Sequence, residues 1–110
     1  LYFEDADFSL KARRAGIPCT IASEVRARHA VSSSTKHLGS PRLLYYHYRN
    51  ALIFNFRHAP LFLKPIVFFW SVWLIKKQLF KLAIRKDIES SQMILQGILD
   101  AYRKKLGKLP

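Results

Sequence analysis

The sequence predicts a mainly helical domain that carries two short β-strands. Apolar residues recur at helical spacing in four stretches, and proline, glycine or polar residues bound each stretch. Strand-like patterns occur only between residues 17 and 31. With 110 residues, the chain has room for one domain at most and for a core of modest size.

The first predicted helix opens on a cluster of acids. Glu4, Asp5 and Asp7 lie in its first turn, bases follow in its later turns, and Gly16 can end it in a left-handed conformation. This arrangement is typical of a well-capped surface helix. The alternative is catalytic, because a carboxylate fixed at a helix start behind the apolar run 1–3 has the placement that a general base needs.

Two short strands are predicted after this helix. Residues 17–22 are apolar and β-prone, and residues 25–31 alternate between two faces, one apolar and one basic. His29 falls on the apolar face of the second strand. A lone histidine in such a position is usually a packed core residue, and metal ligation is the alternative.

A second helix is predicted over residues 40–57, because a Ser-Pro pair can cap it and fill its first turn. The polar loop before it, 32–40, is either a lid over a site or a connector. Arg49 and Asn50 lie near the middle of this helix. They belong either to a solvated face or to a contact with a phosphate or sugar.

The most hydrophobic stretch, residues 65–75, contains a single polar side chain. As a helix it spans roughly 16 Å, about half of the roughly 30 Å of a bilayer core, so it is too short to cross. The pattern then turns amphipathic and lysine-rich, as in helices that lie in the membrane interface. A helix packed on its own protein fits the pattern equally well. The residues predicted to contact the membrane are Trp70, Trp73, Lys76, Lys77 and Lys81.

A last amphipathic helix is predicted from Asp87 to Leu106. The net charge is +12, and no acid occurs between Glu24 and Asp87, which favours a phosphate-bearing partner. The aromatic residues gather in one block and do not alternate with the bases, so anionic lipid is favoured over nucleic acid. The single Cys19 excludes an internal disulfide and a cysteine-cluster zinc site.

The order of these elements resembles the C-terminal half of bacterial family 2 glycosyltransferases. The resemblance rests on the run YFEDADFSLKARRAG, the strand pair ending in His29, the VSSST loop and the run SPRLLYYHYRNALIFNFRHAP. It covers the first sixty residues, whereas residues 61–110 share only the basic, aromatic character of a helical tail. The most similar members would be the rhamnosyltransferase-like and galactofuranosyltransferase-like enzymes that build cell-surface polysaccharides.

The resemblance implies an inverting enzyme of GT-A fold that moves a sugar from a nucleotide-sugar donor to a glycan or lipid-linked glycan acceptor. It implies that the catalytic base is Asp5 or, less favoured, Glu4. His29 would give one ligand to a divalent cation, Mg²⁺ or Mn²⁺, which the missing nucleotide-binding half would mostly hold. Substrate contacts are assigned to Asp7, Arg49 and Asn50.

We therefore expect residues 1–60 to be the C-terminal part of a GT-A catalytic domain and residues 61–110 to be a membrane-associated tail. The chain starts with Leu inside an apolar run, so we expect a fragment of a longer enzyme, inactive by itself. Its expected location is peripheral, on the cytoplasmic face of a bacterial inner membrane. The alternatives are a non-enzymatic membrane-surface helical module and, less favoured, a nucleic-acid-binding helical domain.

Overall fold

A computed structural model describes residues 2–26 and 39–109. These two ranges contain four α-helices, and a short 3₁₀ turn at Leu61–Leu63 leads into the third. The helices are α1 (Glu4–Arg14), α2 (Gly39–His58), α3 (Lys64–Ala83) and α4 (Ile88–Tyr102). The prediction of a mainly helical chain is confirmed.

The first predicted strand is wrong. Residues 17–22 are irregular, and the side chain of Ile21 is 97% exposed. Val25 and Arg26, which open the second predicted strand, are irregular too, and residues 27–31 lie outside the described ranges. A strand is stable only beside partner strands, and the described residues contain none. The apolar run therefore has no sheet to join.

The core forms where α4 packs against both α2 and α3, and the contact with α2 is the more extensive. Leu52 from α2, Leu74 from α3 and Ile98 from α4 are buried together there. Gly97 lets α4 approach α2 closely, because a Cβ atom at this position would lie 2.6 Å from the carbonyl oxygen of Tyr45. The last helix in the chain is thus the central one in the fold. Helices from both of the predicted ranges, 1–60 and 61–110, contribute to this one core.

A buried hydrogen-bond network also connects α2 to α4 and to the tail that follows it. The hydroxyl of Tyr45 donates to the Asp100 carboxylate at 2.8 Å. The Arg49 guanidinium donates to the Tyr45 oxygen at 3.3 Å and to the Gly107 carbonyl at 2.8 Å. Burial raises the pKa of Tyr45 above its ordinary value, so the phenol keeps the proton that it donates.

Three of the helices end in the same way. After α1, α3 and α4, one residue takes a left-handed conformation and the next N–H donates to a carbonyl five residues earlier, which is the Schellman motif. Gly16 takes the left-handed position after α1, as its sequence position predicts. Arg85 and Lys104 take it after α3 and α4. The last helix therefore ends at Tyr102, before the predicted end at Leu106.

Candidate functional site

The acid-bearing end of α1 lies against α2. Phe3 stacks on Phe54 with ring centroids 5.4 Å apart, and Tyr2 meets His47 edge-on at 5.3 Å. Tyr2 and Phe3 both have positive φ, which costs roughly 1–2 kcal/mol per residue for L-amino acids. The aromatic contacts hold this unfavourable turn in place. They fix the position of the first helical turn, which begins at Glu4.

Asp7 is the acid whose partners are best defined. Its carboxylate accepts from Lys11 at 2.5 Å, from Nε2 of His58 at 2.6 Å and from Arg57 at 3.3 Å. Lys11 and then His58 hold the pKa of Asp7 well below its usual range. An ionised carboxylate can only accept, so Nε2 of His58 carries the proton between them. Because Arg57 and His58 end α2, Asp7 joins the two helices.

Two cavities lie beside this ion-pair cluster. The smaller has a volume of about 180 Å³, and the larger, mostly apolar, has a volume of about 520 Å³. They share Ile53, Arg57 and Leu106 in their walls. Glu4 and Asp7 face the smaller cavity, together with Tyr2, Phe3, Asn50 and Phe54. Asp5 is exposed on the surface of the same helical turn.

The structure brings three of the predicted site residues together, namely Glu4, Asp7 and Asn50, around the smaller cavity. It places Arg49 in the protein interior, 6% exposed, where it donates to acceptors of the chain itself. Asp7 and Arg49 both contact other residues of the chain, and these contacts do not test substrate binding. Substrate binding by these residues, and catalysis by Asp5 or Glu4, stay predictions.

His29 lies outside the described ranges, so its role as a metal ligand also stays a prediction. Within residues 2–26 and 39–109, no three His, Cys, Asp or Glu side chains come together in a way that could hold a metal ion. Asp7, which could contribute a carboxylate, is already held by three basic side chains. The described residues therefore do not form a metal site by themselves.

Arg57, His58 and Leu106 are site residues that the sequence analysis missed. Bases at the end of a helix suit its dipole, so the Arg-His pair after α2 has a local explanation. That explanation gives no reason to pair them with an acid about fifty positions earlier. Leu106 reaches both cavities because the chain turns after α4 at Lys104. If α4 continued to Leu106, as the sequence predicts, the side chain of Leu106 would lie away from these cavities.

A second candidate surface lies on α3. Ser71, Leu74 and Gln78 are buried in the interior. The opposite side, which we name the outer face of α3, carries exposed side chains three or four positions apart, with the last one directly after the helix. These are Ile66, Phe69, Trp73, Lys77, Phe80 and Ile84. Among the described helices, none is both long enough and apolar enough to cross a bilayer.

The five predicted membrane-contact residues lie on or beside this outer face. Trp73 and Lys77 belong to it, and the Lys77 ammonium lies 5.1 Å from the centre of the Trp73 ring. Lys76 is exposed next to it, and Trp70, at its border, is 37% exposed. Lys81 is partly covered and lies 3.8 Å from the Asp87 carboxylate. All five therefore have solvent-accessible side chains, although Lys81 has an acidic partner.

Comparison with known proteins leaves this chain to be interpreted from its own residues. No protein-family model, curated protein or solved structure matches it significantly. The contacts of the described residues and the motifs of residues 1–60 are therefore the only indications of function.

Proposed function

We propose that the chain is the C-terminal part of an inverting GT-A glycosyltransferase that works peripherally at the cytoplasmic face of a bacterial inner membrane. The observation that carries this proposal is the fixed start of α1. Its acids, Glu4, Asp5 and Asp7, occupy one helical turn whose position is set by aromatic stacking and by the ion pairs of Asp7. A rigidly held carboxylate beside a cavity is what base catalysis of sugar transfer needs.

In such a transfer, a hydroxyl of the acceptor attacks the anomeric carbon of the donor from the side opposite the nucleotide. The base takes the hydroxyl proton as the new C–O bond forms, and the nucleotide diphosphate leaves with the electron pair of the bond that breaks. Asp5, exposed on this turn, is the proposed base by resemblance alone, and Glu4, which lies in the cavity wall, is the alternative. Asp7 is a poor candidate for the base, because its basic neighbours lower its pKa.

Exposed apolar residues after α1 support the presence of a nucleotide-binding half in the full enzyme. Ile17, Ile21 and Val25 are all largely exposed. Soluble proteins seldom leave a group of large apolar side chains uncovered without a partner for them. A surface of the nucleotide-binding half would cover this run. The divalent cation belongs to the proposal by resemblance alone.

The proposal is tested in the full-length enzyme with the substitutions Asp5→Asn and Glu4→Gln. Asp5→Asn should lower the turnover of nucleotide sugar by roughly 10²–10⁴-fold, because the acceptor hydroxyl then loses its base. Binding of the donor, measured by calorimetry, should stay nearly unchanged. The exposed Glu89, in the first turn of α4, gives a matched control in Glu89→Gln.

Two other outcomes would change this assignment. If Glu4→Gln abolishes turnover and Asp5→Asn does not, the two assignments are reversed. If both variants keep their activity, the acids of α1 are structural and the proposal fails. The non-enzymatic alternative, a membrane-surface module, would then be favoured, because the outer face of α3 supports it independently. Nucleic-acid binding has no comparable surface to support it among the described residues.

A further inference from the structure

We propose that the outer face of α3 binds the interface of an anionic membrane, with the helix lying parallel to the bilayer. This rests on the peripheral attachment in the proposed function and names the surface that binds, but its test needs no glycosyltransferase activity, so the two proposals can fail separately. The sequence left open whether residues 61–86 pack on lipid or on the protein itself. Four observations on the described residues favour lipid.

α3 leaves large apolar side chains exposed, although part of its buried side is polar. Ser71 and Gln78 are buried beside Leu74, whereas Phe69, Trp73 and Phe80 on its outer face are 67%, 55% and 66% exposed. An ordinary surface helix buries its large apolar residues and exposes its polar ones. The inner side of α3 needs no further partner, because it already packs on α4. Its outer face therefore needs an apolar environment outside the described residues.

The outer face of α3 forms a straight stripe that is apolar except at Lys77. From Ile66 to Ile84 its members follow each other at intervals of three or four residues, which corresponds to about 27 Å along a helix axis. A straight stripe of this length fits a planar surface along its whole extent. Aromatic residues make up its centre, and aromatic rings are favoured at the level of the lipid headgroups.

The charges on α3 itself are all positive, and the nearest acid seen beside them is Asp87, which lies 3.8 Å from Lys81. Every charged residue of α3 is a lysine, and the helix is followed by another two bases. These residues are Lys64, Lys76, Lys77, Lys81, Arg85 and Lys86. They complement lipid phosphates. A second copy of the same chain is disfavoured as the partner, because a two-fold contact would bring identical lysine-bearing faces together.

Lys77 distinguishes lipid from a covering protein domain. It lies within the stripe, and its ammonium contacts the Trp73 ring. A protein partner that covered the stripe would bury this charge, which is costly unless it supplies an acid at that point. At a membrane interface, the aliphatic stem lies among the acyl chains while the ammonium reaches the headgroups. The lysine is therefore compatible with lipid without any further partner.

The test is co-sedimentation of the 110-residue chain with vesicles of phosphatidylcholine alone or mixed with phosphatidylglycerol. Binding should be stronger to the anionic vesicles and should fall, though not to zero, as the salt concentration rises. Trp70 and Trp73 fluorescence should shift to the blue on binding. Phe69→Gln/Phe80→Gln should weaken binding roughly tenfold or more at every salt concentration, because the apolar contribution is lost.

Lys76→Gln/Lys77→Gln should weaken binding by roughly 10- to 30-fold at low salt and much less at high salt. The chain offers matched controls for both pairs. Phe8→Gln removes an equally exposed aromatic residue from α1, and Lys105→Gln/Lys108→Gln removes two exposed lysines after α4. Both controls should bind nearly as the original chain does.

Several results would overturn the proposal. One is the same binding to neutral and anionic vesicles at all salt concentrations. Another is a loss of binding in the Phe8→Gln control as large as in the Phe69→Gln/Phe80→Gln variant. A third is a dimer in sedimentation equilibrium, with the Trp73 emission already blue-shifted without lipid, since a second copy would then cover the outer face of α3. Resistance to alkaline carbonate extraction would equally contradict a peripheral attachment.

Discussion

Asp7 accepts hydrogen bonds from three basic side chains, of which only Lys11 belongs to its own helix. The other two, Arg57 and His58, end α2, so one carboxylate connects two helices about fifty residues apart. The His58 side chain is 5% exposed, and its Nδ1 has no partner among the described residues. Removing the carboxylate would leave both ring nitrogens of a buried histidine without a partner, which is destabilising.

We expect Asp7→Asn to lower the free energy of unfolding at neutral pH. Because its basic neighbours lower the pKa of Asp7, their stabilising effect is complete above the ordinary aspartate pKa of about 3.9. It is lost as the pH falls through the lower pKa of the folded state. Urea titrations should therefore show a difference between variant and original chain at pH 7 that shrinks below about pH 4.

The matched control for this experiment is again Glu89→Gln, which removes an exposed carboxylate from α4. Its effect at pH 7 should be smaller, because none of the basic side chains in residues 2–26 and 39–109 forms an ion pair with Glu89. A difference for Asp7→Asn that stayed constant from pH 7 to pH 2 would mean that the ion pairs do not cause it.

The sequence predicts that Arg49 lies in a helix, but it does not predict the environment of its side chain. Its position within a helix was predicted, and two environments were considered, a solvated face and a substrate contact. The structure gives a third, in which the guanidinium is buried and donates to Tyr45 and Gly107. Arginine is rarely buried unless its donors are paired. One acceptor comes from a residue almost sixty positions later, and no periodicity indicates that such residues meet.

At the scale of elements, the helices were predictable where the chain carries residues with strong local preferences. The Ser-Pro pair at residues 40–41 and Pro60 placed α2 within one residue of its observed bounds at each end. The end of α4 was missed because the first glycine after it is Gly107, whereas the left-handed residue is Lys104. Strands were predicted from local composition, although their stability depends on neighbours that the described residues do not provide.

We expect Lys104→Gly to stabilise the protein by about 0.5–1 kcal/mol. A left-handed conformation is unfavourable for lysine and freely available to glycine, and this gain exceeds the entropy that glycine adds to the unfolded chain. Chemical denaturation would measure the change. Lys105→Gly, one position later and outside the left-handed region, should be neutral or destabilising. Equal effects of the two substitutions would exclude the conformational explanation.

At the scale of the whole molecule, the close contact of α2 with α4 determines the packing. Gly97 lies at its tightest point, and Tyr45, whose carbonyl it faces, also bonds to Asp100 on α4. Any substitution that separates the helices here would stretch the buried hydrogen-bond network as well. Sequence periodicity indicated which residues of α4 are apolar. It did not indicate that α4, and not the more hydrophobic α3, is the central helix.

We expect Gly97→Ala to destabilise the fold by about 1–3 kcal/mol, even though alanine is the better helix former. The added methyl group would lie 2.6 Å from a backbone oxygen that cannot move without α2. The midpoint of urea unfolding would report the loss. Gln92→Ala, at an exposed position of the same helix, should leave the midpoint nearly unchanged or raise it slightly. A neutral Gly97→Ala would show that the two helices can separate without cost.

The central position of α4 also has a consequence for biosynthesis. A ribosome makes the chain from its N-terminus, and α4 ends at Tyr102, 44 residues after α2 ends at His58. At about 5–20 residues per second, several seconds pass before the main partner of α2 has been translated. During this interval α2 and the aromatic side of α3 emerge without a closed core. We expect the nascent chain to be prone to aggregation in this interval, because its apolar segments are still uncovered.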